Sequence, residues 1–247
     1  MHRAIGIDRR FLLKRIVEIL VHHDADILML QEVDVGVPRS HKLNLASELA
    51  KQLEYPYYAV GLNVKLRTGL YGNATLSRFP IREKRNIDLT VGTRKARGCL
   101  FTKVELLSCE DGKKGLEIAF FNLHLGLAAN ERALQLEQVL SSTEFGDLSA
   151  AHPCMIAGDF NDWRTLLPPT LNEKHGFTCA TDNGKSSKKP TRTYPSFAPT
   201  VALDKIFCRG DIRVLRSWRC HLKVSKVASD HLAVLADFEL PEVASLA

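Results

Sequence analysis

Several carboxylate, amide and imidazole side chains of this chain stand where short apolar runs end. Glu32 follows the run Ile27-Leu28-Met29-Leu30, and a carboxylate at such a point can bind a hard cation through its oxygens, although an isolated acid there also suits a solvated loop. His124 closes Asn122-Leu123-His124-Leu125; a lone histidine of this kind often serves only structure. Gly158-Asp159-Phe160-Asn161 says more. The glycine permits close backbone approach, and alternation points Asp159 and Asn161 to one side while Phe160 turns inward, so that an acid and an amide can jointly hold a water and a phosphate. Asp204 lies within the apolar run Val201 to Phe207, where a carboxylate is costly unless paired. His231 in Ser229-Asp230-His231 is the candidate partner. An aspartate that orients and charges a histidine sets an imidazole beside a developing anion.

These residues need strands to deliver them and helices to cover the strands. Phe11, Leu12, Ile16, Ile19 and Leu20 form one helical stripe within 11–23, and helical spacing recurs over 40–53 and 130–145. Strand-like runs fall at 27–30, 57–60, 73–77, 81–89, 99–107, 116–123, 154–157, 203–208, 212–218 and 232–238, with an Asp111-Gly112 turn inside the central meander. A meander flanked by helices predicts two packed sheets covered on the outside. The segment 181–195 is polar and turn-rich and reads as a long surface loop. At 247 residues and 45% hydrophobic content, one domain over 1–247 is expected.

The balance of 34 Lys and Arg against 28 Asp and Glu, a net charge of +6, suits a polyanionic partner such as nucleic acid. The six cysteines show neither CxxC pairs nor zinc-ligand spacing and read as reduced, mostly structural thiols. No apolar run approaches the ~20 residues of a membrane span, and no leader opens the chain, so a cytoplasmic protein, monomeric by default, is expected.

Taken in order, Leu30-Gln31-Glu32, Tyr71-Gly72-Asn73-Ala74, Ser77-Arg78-Phe79-Pro80, Asn122-Leu123-His124-Leu125, Gly158-Asp159-Phe160-Asn161, Leu203-Asp204-Lys205-Ile206-Phe207 and Ser229-Asp230-His231 resemble the endonuclease/exonuclease/phosphatase superfamily, in particular its small stand-alone bacterial members. The resemblance implies a DNase I-like α+β fold: a four-layer α/β/β/α sandwich of two mostly antiparallel sheets flanked by helices. It also implies a metal-dependent phosphoesterase, a phosphodiesterase or nuclease in first place, acting by in-line water attack with Mg²⁺ or Mn²⁺. By the same resemblance Glu32 binds the metal and Asp230 sits on the metal side. Asp159 orients or deprotonates the water, Asn161 holds it, His231 backed by Asp204 contacts the phosphate, and His124 meets the leaving oxygen. Tyr71, Asn73 and Arg97 become candidate substrate contacts, Arg97 by bidentate clamping. Asn73 could instead pair backbone at a strand edge, and Arg97 could be a surface cation.

Thr193-Tyr194-Pro195-Ser196 recurs in similar small members, which makes Lys188, Lys189 and Arg192 candidates too, beside the alternative of an exposed soluble loop. Trp163 could stack a base or lipid head group, with anchoring of its own loop as the alternative. One departure concerns the start. The family pattern opens with a strand ending in a Thr-Tyr-Asn-Val-His motif, of which Met1-His2 matches only the Val-His end. The first strand and its Asn are therefore expected to be missing, the true start to lie upstream with a Val codon taken for the initiator at Met1, and metal affinity and stability to suffer. Two other readings stand beside the leading one: a lipid or small-molecule phosphatase or phosphodiesterase with the same chemistry, and a non-catalytic phosphate-binding module.

Overall fold

Side chains alternate across each strand with a period of two, so a strand with both faces apolar must lie between two cores. A computed structural model of the chain describes residues 1–107, 115–182 and 190–240. Its strands are β1 (Ile27–Val35), β2 (Tyr57–Lys65), β3 (Leu70–Ser77), β4 (Ile81–Asp88), β5 (Gly98–Leu107), β6 (Leu116–His124), β7 (Cys154–Asp159), β8 (Thr178–Cys179), β9 (Asp204–Arg209), β10 (Arg213–Arg219) and β11 (Val234–Glu239). They form a three-stranded sheet in the order β1-β3-β2, a six-stranded sheet in the order β4-β5-β6-β7-β9-β8, and a separate β10-β11 ribbon. All pairings are antiparallel except β6 with β7. That pair is joined through the helix α3 (Ala129–Leu140), the kind of crossover a parallel pair requires.

Three cores follow from the alternation. On β6, Ala119 and Phe121 face one core while Ile118 and Phe120 face another, and on β7 Ile156 and Met155 divide in the same way. The outer core joins the six-stranded sheet to α3 and the short α4 (Thr143–Gly146) through Leu136, Val139 and Phe145. The middle core lies between the sheets, where Ile27, Met29 and Phe238 pack on Phe120 and Met155. The third covers Leu28, Leu30 and Leu76 with Ile16 and Ile19 of α1 (Leu13–His23) and Leu45 and Leu49 of α2 (Leu45–Gln52). The result is the four-layer α+β sandwich. The last helix, α5 (Ser225–Ala228), is a single turn that leads toward Asp230.

Local chemistry moved several boundaries. The helix expected over 40–53 begins only at Leu45, because Asn44 caps it by accepting from the Ser47 N–H, while 38–40 form a 3₁₀ turn. The helix expected over 130–145 is broken after Leu140, where Ser142 caps α4 by accepting from the Phe145 N–H. The final strand starts at Val234 rather than 232, and the two-residue β8 is too short to register as a periodic run.

Of the segment 181–195, residues 183–189 lie outside the described residues; at its described ends Thr181, Thr191 and Thr193 are buried, and Tyr194 bridges Val201. The Asp111-Gly112 turn, Lys188 and Lys189 lie outside the described residues. No strand precedes α1 among the described residues; His2–Ala4 form a 3₁₀ turn and Ile5 bridges Phe11. Among the described residues, β1 pairs on one side with β3 and β11 on one side with β10.

Candidate active site

Register puts three of the polar residues in one row. His124 ends β6, Asp159 ends β7 and Asp204 begins β9, and the ladders pair His124 with Asp159 and Asp159 with Asp204. Gly158 makes the row possible. It has φ +140, and a Cβ at this position would lie 1.9 Å from the Leu123 carbonyl oxygen.

Asp159 is the centre of the cluster. Its Oδ2 lies 3.4 Å from His124 Nε2 and 3.9 Å from His231 Nε2. Its Oδ1 accepts the Asn161 backbone N–H at 2.9 Å, and Asn161 in turn donates its side-chain amide to the Leu125 carbonyl. Phe160 between them is fully buried, as the alternation predicts. The partner inferred for Asp204 is in place, with His231 Nδ1 2.8 Å from Asp204 Oδ2. The Thr193 hydroxyl donates to the same oxygen.

The electrostatics divide the two histidines. Burial raises the Asp159 carboxyl to about 7, reinforced by the charge of Asp204 and opposed by His231, the Asn161 N–H and Arg97. Burial alone would lower His231, but Asp204, through charge and hydrogen bond, outweighs it and, with Asp159 and Asp230, lifts it to about 9. His124 goes the other way, well below the usual histidine value, through burial and then the cations Arg97 and Lys95. At neutral pH one imidazole is therefore cationic and the other neutral, and both approach the same carboxyl oxygen.

Glu32 approaches from the other sheet. The β1–β3 register shifts between Leu30 and Val33, and Glu32 takes a left-handed φ of 56, so a bulge aims the side chain away from the strand. Its carboxylate meets Arg3 at 3.2 Å, while His2 Nδ1 lies 4.0 Å from Asp230 Oδ1. The N-terminal turn thus brings a guanidinium to Glu32 and an imidazole near Asp230, the two acids expected on the metal side.

Glu32 also lines a cleft with Asn63, Tyr71, Asn73, Arg97 and His124. Arg97 is only 7% exposed, makes no ion pair among the described residues, and has a buried Nε without a hydrogen-bond partner. A buried guanidinium so placed lacks an anion. Asn73 behaves as the plainer alternative allowed, donating to the Gly98 and Asn122 carbonyls, yet in doing so it ties the two sheets together beneath the cleft. Tyr71 is buried, with Arg39 and Lys95 over its ring at 5.3 and 5.6 Å.

Four contributors escape sequence reasoning. Arg3 reaches Glu32 across a turn; Gln31 donates to Asn122, which itself donates to Leu30 and Ala74; and Thr193 holds Asp204. Gln31, Asn122 and Thr193 lie inside the Leu-Gln-Glu, Asn-Leu-His-Leu and Thr-Tyr-Pro-Ser runs, which by themselves assign them no role, and Arg3 carries no signal.

A hard divalent cation fits the oxygen donors present. Asp159, Asp204 and His231 each offer a ligand atom within 4.8 Å of one another, but Asp204 and His231 direct those groups at each other. Glu32 is engaged by a guanidinium instead, at a place that already accepts positive charge.

Residues 8–231 match the model of the Endonuclease/Exonuclease/phosphatase family. The chain belongs to that family. It is 30% identical over 250 residues to the Escherichia coli (strain K12) protein YbhP, covering 94% of this chain and 90% of that one. Among solved structures, an endonuclease/exonuclease/phosphatase from Beutenbergia cavernae superposes with a TM-score of 0.77 at 20% identity, over 97% of this chain and 69% of that one. A mannosyl-6-phosphatase from Bacteroides thetaiotaomicron gives 0.67 at 20% identity, over 92% and 90%. These two likenesses bear on the fold alone.

Proposed function

We propose that the chain is a metal-dependent phosphoesterase that hydrolyses a phosphodiester by in-line attack of water. The observation that carries this reading is the Asp204–His231–Asp159–His124 row, a carboxyl of raised pKa between a cationic and a neutral imidazole. Asp159 takes the proton of the attacking water, and its lifted pKa suits a base working near neutrality. Asn161, fixed by its bond to Leu125, orients that water with its amide oxygen. His231, held and charged by Asp204, binds a non-bridging phosphate oxygen. Arg97 supplies a second cation from the opposite wall. His124 is neutral and meets the leaving oxygen with an N–H rather than a full charge.

Glu32, with Asp230 on the same side, would hold Mg²⁺ or Mn²⁺. When bound, the ion supplies charge neutralisation at the phosphate.

The test is hydrolysis of bis-p-nitrophenyl phosphate, p-nitrophenyl phosphate and plasmid DNA with Mg²⁺, Mn²⁺ or EDTA. Turnover that needs metal and favours the diester is expected; preference for the monoester would move the reading to a phosphatase. No turnover with any metal would favour the phosphate-binding module.

A second expected result concerns Arg3. Because its guanidinium holds Glu32 in the absence of metal, Arg3→Ala should tighten Mn²⁺ binding roughly threefold to tenfold in calorimetric titration. Unchanged or weaker affinity would show that Arg3 does not compete for that carboxylate.

A further inference from the structure

The two flanks of the site differ in kind. Glu32, Asn73, Arg97 and His124 make one flank polar and cationic. On the other flank the His231 ring lies 4.9 Å from Tyr194, and Tyr194 meets Trp163 edge-on at 5.4 Å. The aromatic row therefore runs from the phosphate-binding imidazole outward to an indole that is 48% exposed.

Trp163 is not needed to anchor its loop. Buried Phe160 and Asp162 do that: Asp162 accepts the Leu167 N–H at 2.9 Å and lies 3.6 Å from Arg132 of α3. A large ring left half in water, two residues beyond Asn161 and edge-on to a ring that itself touches His231, presents a face to whatever extends from the bound phosphate.

We propose that Trp163 is a specificity-determining residue that stacks a planar aromatic group of the substrate, the nucleobase of a nucleotidic ester, on the His231 side of the phosphate. The inference rests on the phosphoesterase reading and names its substrate class. Stacking tolerates any base, because every base has a π face, and it contributes discrimination against esters without a ring.

Two p-nitrophenyl esters share the leaving group and differ only in the retained side: thymidine 5′-(p-nitrophenyl phosphate) and methyl p-nitrophenyl phosphate. Wild type is expected to prefer the thymidine ester in kcat/KM. Trp163→Ala should reduce that preference about tenfold, and Trp163→Phe should restore part of it. Equal cleavage of the two esters by wild type, or a preference that survives Trp163→Ala, would overturn the proposal while leaving the phosphoesterase reading intact. Should neither ester turn over, binding still decides. The chain has two tryptophans, so in a Trp218→Phe background Trp163 is the sole indole reporter. Quenching of its fluorescence by thymidine 5′-monophosphate but not by methyl phosphate supports stacking, and no quenching sinks it.

Discussion

Asp159→Asn is expected to lower kcat for bis-p-nitrophenyl phosphate by about 10³-fold, since it removes the carboxylate proposed as the base for the attacking water. The same substitution should make the protein more stable above neutral pH. The Asp159 carboxyl is buried beside Asp204 and its folded-state pKa is raised to about 7 from an ordinary 3.8. Protonation therefore favours the native state: this contribution is fully present below the unfolded value and is lost as pH rises through about 7. Above that, an ionised, desolvated carboxylate remains as a cost, and asparagine does not bear it. In EDTA at about pH 8 the variant should melt roughly 2–4 °C higher than wild type, with a smaller gain at about pH 5.5. A variant that kept its activity, or lost stability at both pH values, would remove Asp159 from the centre of the mechanism.

Asp204→Asn tests the other half of the row. The amide can still accept from Thr193 and His231, so the geometry survives, but the charge that lifts His231 to about 9 is gone. The expected loss in kcat is about 10²-fold. The diagnostic is the pH–rate profile: wild type keeps a cationic His231 up to about pH 9, whereas in the variant the alkaline limb should move to lower pH. Stability follows the same sign. A histidine whose folded-state pKa is raised contributes below the unfolded value of about 6.5 and loses that contribution as pH rises through about 9, so the variant should be destabilised most in the acid half of that window. A uniform loss with an unmoved profile would mean that Asp204 only holds the strand end.

Much of this was legible before any geometry. The argument that a carboxylate in a buried run needs a partner led from Asp204 to His231, and the alternation through Asp159, Phe160 and Asn161 placed the phenyl ring in the core. Those are local inferences. The row itself is not local: it depends on the parallel register of β6 with β7 and the antiparallel register of β7 with β9, which join residues 124, 159 and 204. Helix starts shifted for another reason, because Asn44 and Ser142 capture backbone N–H groups that hydrophobic periodicity does not see. Arg3 stayed hidden because a turn of left-handed residues, His2, Arg3 and Ala4, delivers it, and no spacing rule describes that path. Asn73 could be read as an edge polar group and Asn122 only as part of the run ending near His124, yet the packing of two sheets makes each a bridge between layers.

Among the described residues the β10–β11 ribbon pairs with neither larger sheet through a backbone ladder. What fastens it is side-chain packing of Val214 and Phe238 in the middle core, with the Ser217 hydroxyl on the Ala180 carbonyl and Arg219 on the Arg192 carbonyl. Two strands alone are marginal in water, so such a ribbon is the kind of unit that opens locally while the rest of the molecule stays closed. Asp230 and His231 enter the site only a few residues before β11 begins. A transient opening at that seam would carry away the cationic imidazole and spare the carboxyl at the end of β7. Heat or denaturant would then dismantle the proposed site before the sandwich itself is lost.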